Sequence, residues 1–263
     1  MIEFHLDHQS DLTIATLRVK PDETHRFGIL EVDSDYRVQS FTEKPASPSG
    51  TLASMGVYIF QREALYRALL SDADRPDSSR DFGADIIPRM IDDGLRVSAF
   101  PYSGYWVDVG TLSSYWQSHM DLLSRPPSLH LNDRSWVIHT KSEERPPALL
   151  QSGALVRDSL ICDGAMISKG AVVENSVLSP GVYIGPSAQI SHSIILTDAH
   201  IASNASVNKA VVDKIVRVGE DCVIGKTDSE KIATIGKASH IPPGTIIKPG
   251  QEIPTDSRPE DFP

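Results

Sequence analysis

From Leu149 onward the chain repeats. Aliphatic residues fall into three interleaved columns with a step of 17: Leu150, Ile167, Ile184, Ile201, Val218 and Ile235; Val156, Val173, Ile190, Val207, Ile224 and Ile241; and Ile161, Leu178, Ile195 and Val212. Within one period they lie 6, 6 and 5 apart, and a small residue stands two positions before each, as in Ala171, Ala188, Ala205 and Cys222. Heptads and amphipathic helices cannot hold three registered columns at this step. Each hexad is one short strand plus a corner, and three of them close a triangular coil. Stacked coils bury one aliphatic per face, and the small residue fits the narrow interior beside the corner. The pattern predicts a left-handed parallel β-helix of about five coils over 149–250, with Lys226–Ala233 as an insertion and Cys222 as an inert interior thiol.

The first 125 residues are patterned differently. Strands are predicted at Leu12–Val19, Gly28–Asp33, Val38–Glu43, Leu52–Phe60 and Val97–Tyr102, with a turn at Ser34-Asp35. Helices are predicted at Met1–Gln9, Gln61–Leu70, Phe82–Asp92 and Thr111–Leu123, with Gly94 as a stop and Thr111 as an N-cap. Alternating strands and helices suggest an α/β layer on a mostly parallel sheet. Residues 126–148 carry Pro126-Pro127 and Pro146-Pro147 around polar runs, including Lys141–Arg145, and read as an extended linker that Trp136-Val137-Ile138 is expected to pin to a domain surface. The acidic, proline-rich end, 251–263, reads as a mobile tail.

Composition narrows the classes. With 25 Lys+Arg against 35 Asp+Glu the formal charge is −10, which argues against nucleic-acid binding. No apolar run approaches the ~18 residues of a membrane span, and the acidic, polar start is unlike a secretory signal. Two cysteines, Cys162 and Cys222, make no disulfide framework, so a cytoplasmic location is expected.

A β-helix alone does not name a function. One chemistry it hosts is acyl transfer with a histidine base between coils, for which His192, His200 and His240 are the candidates. Each serves equally as a solvated corner residue, and that reading leaves the first 125 residues without a purpose. In those residues Phe41-Thr42-Glu43-Lys44-Pro45 ends a strand with a carboxylate, an ammonium and a proline. A lysine there can meet a phosphate as a compact cation, and the glutamate beside it can accept sugar hydroxyls. Then follow Leu52-Ala53-Ser54-Met55-Gly56-Val57-Tyr58-Ile59-Phe60, Asp81-Phe82-Gly83-Ala84-Asp85-Ile86-Ile87-Pro88 and Tyr105-Trp106-Val107-Asp108-Val109-Gly110-Thr111.

In that order and at those intervals the segments resemble the sugar-binding half of the glucose-1-phosphate adenylyltransferase family. Tyr115–Leu123 and Asn175–Val182 fit the same family, and the resemblance runs from Met1 to about Ile224. It implies an incomplete α/β sugar-nucleotidyltransferase domain over 1–125, followed by the linker and the left-handed β-helix. It further implies that Glu43 holds glucose hydroxyls and Lys44 the phosphate, that Ser54 lines the sugar pocket, that Gly28 approaches the sugar by its backbone, and that Asp108 helps bind Mg²⁺. Glucose 1-phosphate is then the ligand of this part. ATP is a partner only if a preceding region supplies the family's loop of the form G-G-x-G-[ST]-R-L, which the 263 residues do not contain. The resemblance thus implies a chain that begins within the catalytic domain, is inactive alone, and assembles as a homo-oligomer (a tetramer) or with a partner subunit. A non-catalytic regulatory or scaffold subunit, and a nucleotidyltransferase for another sugar, are the alternatives.

Overall fold

A computed structural model describes residues 1–140 and 143–262. Lys141 and Ser142, inside the 126–148 segment, and Pro263, at the end of the 251–263 segment, lie outside the described residues. The chain forms two compact units that divide between Gly104 and Tyr105.

The first unit is α1 (Ile2–Asp7), β1 (Leu12–Arg18), β2 (Gly28–Val32), β3 (Val38–Glu43), β4 (Leu52–Phe60), α2 (Arg62–Ala73), α3 (Ile87–Asp92) and β5 (Val97–Pro101). A 3₁₀ turn at Pro21–Arg26, not expected from the sequence, precedes β2, and a π-helical turn at Phe82–Ile86 leads into α3. The five strands form one sheet in the order β3-β2-β4-β1-β5. The expectation of a mostly parallel sheet is corrected: β1–β4, β2–β3 and β2–β4 are antiparallel, and only β1–β5 is parallel. For β2 and β3 the reason is connection length. Parallel neighbours need a crossover of about a dozen residues or more, whereas a tight turn joins β2 to β3. There the Asp33 carboxylate accepts from the N–H groups of Asp35 and Arg37. One face of the sheet buries Leu12, Ile14, Leu30 and Val97 with Ala64 of α2 and Ile87 and Met90 of α3. Beside the aliphatic positions of β1 and β5 lie Thr13 and Ser98, where His5 Nδ1 meets Thr13 Oγ1 at 2.8 Å and Ser10 meets Ser98 at 2.7 Å. Gly94 ends α3 at φ +78°, which spares a side chain the left-handed strain.

The second unit opens with a loop and α4 (Leu112–Asp121), whose N-cap Thr111 forms a capping box with Ser114. Trp136, Val137 and Ile138 are 79%, 59% and 57% exposed, so that run does not pin the linker. The solenoid has three parallel sheets of six strands each, hence six coils rather than five. It is a left-handed β-helix. The step of 17 holds from Val156 through Val173, Ile190 and Val207 to Ile224. The last step differs from the sequence alignment. Ile235 pairs with Val212 and Ile241 with Val218, 23 residues on rather than 17, because the 226–232 insertion adds a loop before the strand resumes. The segment expected as a mobile tail continues the fold: Glu252–Ile253 pairs with Thr234–Ile235, and Phe262 packs on the solenoid core.

One interior column carries serines for a reason. Ser176 Oγ donates to Glu174 O and accepts from Ser193 N–H, and Ser193 Oγ donates to Ser191 O and accepts from Ala210 N–H. At this corner residues 175, 192 and 209 turn through left-handed geometry, at φ +44°, +49° and +44°. The hydroxyls supply the hydrogen bonds that the interrupted backbone ladder leaves open.

Candidate functional site

The first unit brings Gly28, Glu43, Lys44 and Ser54 to one end of its sheet. Gly28 and Glu43 are direct partners across β2 and β3. Lys44 continues the ladder by donating its N–H to Phe27 O at 3.0 Å, at φ +44°, and Pro45 then ends it. The Lys44 ammonium lies 3.5 Å from the Glu43 carboxylate and its side chain is 64% exposed, so it can take a second anionic partner. Gly28 is buried under the Phe41 ring and the Glu43 carboxylate, and a Cβ there would collide with both.

Ser54 is buried on β4 beside a bulge. Register slips between Ile14 and Thr16, Gly56 sits at φ +70°, and Gly56 N–H donates to Ser54 Oγ at 3.2 Å. The bulge kinks the strand, and four residues on from Ser54 stands Tyr58. Burial, helped by the charges of Glu43 and Asp81, raises the Tyr58 phenol above its ordinary pKa, and a hydrogen bond with Ser54 works the other way. The ring stacks on Phe82 with centroids 6.0 Å apart.

Gly83 lies on the other flank of Glu43, and a Cβ there would strike the Glu43 carboxylate. Asp81 caps this turn, its Oδ1 accepting from Gly83 N–H and Ala84 N–H at 2.8 Å each. Two carboxylates, Glu43 and Asp81, therefore flank one bare stretch of backbone, with a phenol, a serine hydroxyl and an ammonium around them. This is a set of acceptors and donors suited to a polyol phosphate. The sequence reading assigned no roles to Tyr58, Asp81 or Gly83. The signal for Asp81 was available, since an acidic residue two before a glycine at a helix start is a capping pattern.

Asp108 belongs to the second unit. Its Oδ1 accepts from Gly110 N–H at 3.2 Å in the loop that precedes α4. Among the described residues no group of three acidic, histidine or cysteine side chains could hold a metal. As one carboxylate ligand, Asp108 fits Mg²⁺ in the manner of ions that keep several waters and share the rest of their shell with substrate phosphates. α4 packs Leu112, Tyr115, Trp116 and Met120 against Ile194, Val211 and Ile232, and Trp116 Nε1–H donates to His192 O at 2.8 Å. Of the histidine candidates, His192 thus serves α4 through its carbonyl. His200 stacks on Tyr183 with centroids 4.4 Å apart, and burial, with Arg217 beside it, lowers its pKa. His240 lies two coils beyond His200, paired with Arg217 of the coil between them. At His200 burial and the Arg217 guanidinium both disfavour the imidazolium that a general base must become. Cys222 is buried, its thiol donates to Pro242 O at 3.1 Å, and burial pushes its pKa up, as an inert interior thiol requires. No helix among the described residues is long and apolar enough to cross a membrane.

Residues 1–125 match the family described as nucleotidyl transferase, and residues 150–239 match the GlmU-like, C-terminal hexapeptide family. Relatives from Bacillus cereus, Bacillus mycoides and Bacillus anthracis, each named glucose-1-phosphate adenylyltransferase, are 42% identical over 166 residues, which is 63% of this chain and 44% of each relative. The chain thus spans less than half the length of the curated relatives it matches. The first family match runs past the compact unit, since residues 105–125, with α4, pack with the solenoid. Over 63% of its length the chain is therefore similar to proteins named glucose-1-phosphate adenylyltransferase, and it carries a nucleotidyl transferase match followed by a hexapeptide match that coincides with the left-handed β-helix.

Proposed function

We propose that this chain provides the glucose 1-phosphate side of an adenylyl transfer in α-glucan synthesis, in which ATP and glucose 1-phosphate give ADP-glucose and pyrophosphate. The observation that supports it is the convergence of Gly28, Glu43, Lys44 and Ser54, with Tyr58 and Asp81, around one backbone edge. Glu43 and Asp81 accept hydrogen bonds from sugar hydroxyls, and the missing side chains at Gly28 and Gly83 leave the room in which the Glu43 carboxylate sits. Lys44 takes the phosphate as a point charge. Ser54 and Tyr58 close the cradle, and Tyr58, protonated at neutral pH, offers its O–H as a donor.

In the reaction an oxygen of the sugar phosphate attacks the α-phosphorus of ATP, a P–O bond forms, and the bond to pyrophosphate breaks with its electron pair leaving on pyrophosphate. Positioning and charge neutralisation carry such a transfer with little need for a protein base. Mg²⁺ would neutralise phosphate oxygens, and Asp108 would give it one carboxylate oxygen. ATP itself requires a backbone cradle of the Gly-rich kind, which these 263 residues do not contain, so adenylyl transfer depends on such a loop being supplied. We place the protein in the cytoplasm, as a homo-oligomer or with a partner subunit.

The test is a glucose 1-phosphate titration of the 263-residue chain followed by NMR. Saturable shifts in wild type, weakened in Lys44→Ala and Glu43→Gln, are expected. No saturable response in a folded wild-type chain would remove the reading.

A further inference from the structure

The segment between α2 and the π-helical turn carries a polar network that the sugar cradle does not use directly. Asp72, at the end of α2, is buried, and both its carboxylate oxygens accept from Ser78 Oγ at 2.8 Å. Arg89 of α3 pairs with the same carboxylate at 3.2 Å, and the Arg80 guanidinium donates to Asp72 O at 2.7 Å. Ser78 Oγ in turn accepts from Arg80 N–H at 3.0 Å, which holds Arg80 at φ +66°. The chain therefore reaches Asp81 already turned.

Asp85 completes the arrangement. One oxygen, Oδ2, accepts three times: from Ser79 N–H at 3.1 Å, from Ser79 Oγ–H at 2.5 Å and from Asp81 N–H at 3.1 Å. These hydrogen bonds, Ser79 first, hold the Asp85 carboxyl below its ordinary pKa. Asp81 answers by capping Gly83 and Ala84, and Asp85 N–H donates back to Asp81 O at 3.0 Å. The two aspartates form a reciprocal box around Gly83, at which a Cβ would strike the Glu43 carboxylate.

We infer that Asp85 is a positioning residue for sugar recognition: its carboxylate fixes the Asp81–Gly83 edge against Glu43, and so sets which hydroxyls of a hexose 1-phosphate are accepted. Asp85 is half-buried, and its carboxylate bonds to Ser79 and Asp81 rather than to Glu43 or Lys44, so its effect passes through the Asp81 backbone. The inference rests on the sugar-phosphate reading above. It concerns hydroxyl recognition and not phosphate capture, which belongs to Lys44.

The experiment compares two probes, glucose 1-phosphate and inorganic phosphate, on the whole 263-residue chain as wild type, Asp85→Ala and Asp85→Asn. Asp85→Ala removes charge-assisted bonds and should weaken glucose 1-phosphate about tenfold, the equivalent of one such bond. Phosphate affinity should stay unchanged. Asp85→Asn keeps an acceptor oxygen and should recover part of the loss. Equal weakening of both probes would mean general loosening of the fold, and unchanged glucose 1-phosphate affinity in Asp85→Ala would mean no positioning role; either overturns the inference. Ser79→Ala, which removes one of the three donors and leaves the helix start intact, should show the same selective loss to a smaller degree, and its absence counts against the inference too. If wild type does not bind glucose 1-phosphate, the functional reading falls and this inference falls with it.

Discussion

Gly83 shows how a single missing atom can decide a site. Its ideal Cβ would overlap the Glu43 carboxylate, so any side chain there drives apart the two acidic groups that flank the edge. Overpacking of this kind costs about 1–3 kcal/mol where backbone must yield, and here the yielding group is the Glu43 carboxylate, proposed above to hold sugar hydroxyls. Gly83→Ala should lower the unit's stability modestly and weaken glucose 1-phosphate binding more than it weakens phosphate binding. A titration of both ligands checks this, and an unchanged ratio of the two affinities would contradict it. His5 makes a second statement at this scale. It is buried, meets Thr13 at 2.8 Å, and desolvation lowers its pKa below 6.5, although Asp11 opposes the shift. The folded state therefore resists protonation that the unfolded chain accepts. The neutral ring's contribution is fully present above the unfolded pKa and is lost as pH falls from there through the folded pKa. Urea titrations at neutral and mildly acidic pH should show the first unit weakening on acidification. His5→Gln, which keeps a hydrogen-bonding partner for Thr13 without the titration, should show less of that dependence; equal dependence in both would refute the assignment to His5.

Among the elements, the solenoid was legible in the sequence and the docking of α4 was not, although the signal was present. The inward columns were evident because they repeat at a fixed step. The residues just before them, Val177, Ile194 and Val211, repeat at the same step, point outward, and are nonetheless 8%, 0% and 8% exposed. An outward aliphatic column is a surface that needs a cover, and over Ile194 and Val211 α4 is that cover. Alternation along a strand assigns faces, but it does not say which distant helix lies on one. The sheet of the first unit failed for a related reason: strand and helix positions follow from local pattern, whereas strand sense depends on connections and on partners far apart in sequence. In the candidate site, Glu43, Lys44, Ser54 and Gly28 were found through the resemblance, whereas Tyr58 and Gly83 matter only through contacts made on folding. The α4 anchor gives a prediction of its own. Trp116→Phe keeps most of the apolar contact with the solenoid but removes the Nε1–H donated to His192 O. The lost bond should cost about 1 kcal/mol in denaturant unfolding. A variant as stable as wild type would show that the indole N–H finds water equally well.

For the molecule as a whole, the function proposed above separates the binding of the two substrates. The residues proposed for the sugar phosphate stand on β2, β3, β4 and the turn after α2, all within the first 104 residues. ATP phosphates, by contrast, need several convergent backbone N–H groups at a glycine-rich turn, and no pair of consecutive glycines occurs anywhere in the sequence. Charge sharpens the contrast: at −10 overall the chain has no general attraction for polyanions, so a triphosphate must be held by local geometry or not at all. The 263-residue chain should therefore bind glucose 1-phosphate yet release no pyrophosphate from ATP in the presence of Mg²⁺. Addition of a polypeptide carrying a Gly-rich loop is the condition under which turnover should begin. A coupled pyrophosphate assay with the purified chain decides the matter. Robust Mg²⁺-dependent ADP-glucose formation by the chain alone would mean that nucleotide phosphates can be held without such a loop. The division of labour between cradle and loop would then have to be abandoned, while the sugar assignments, tested by binding, would stand on their own.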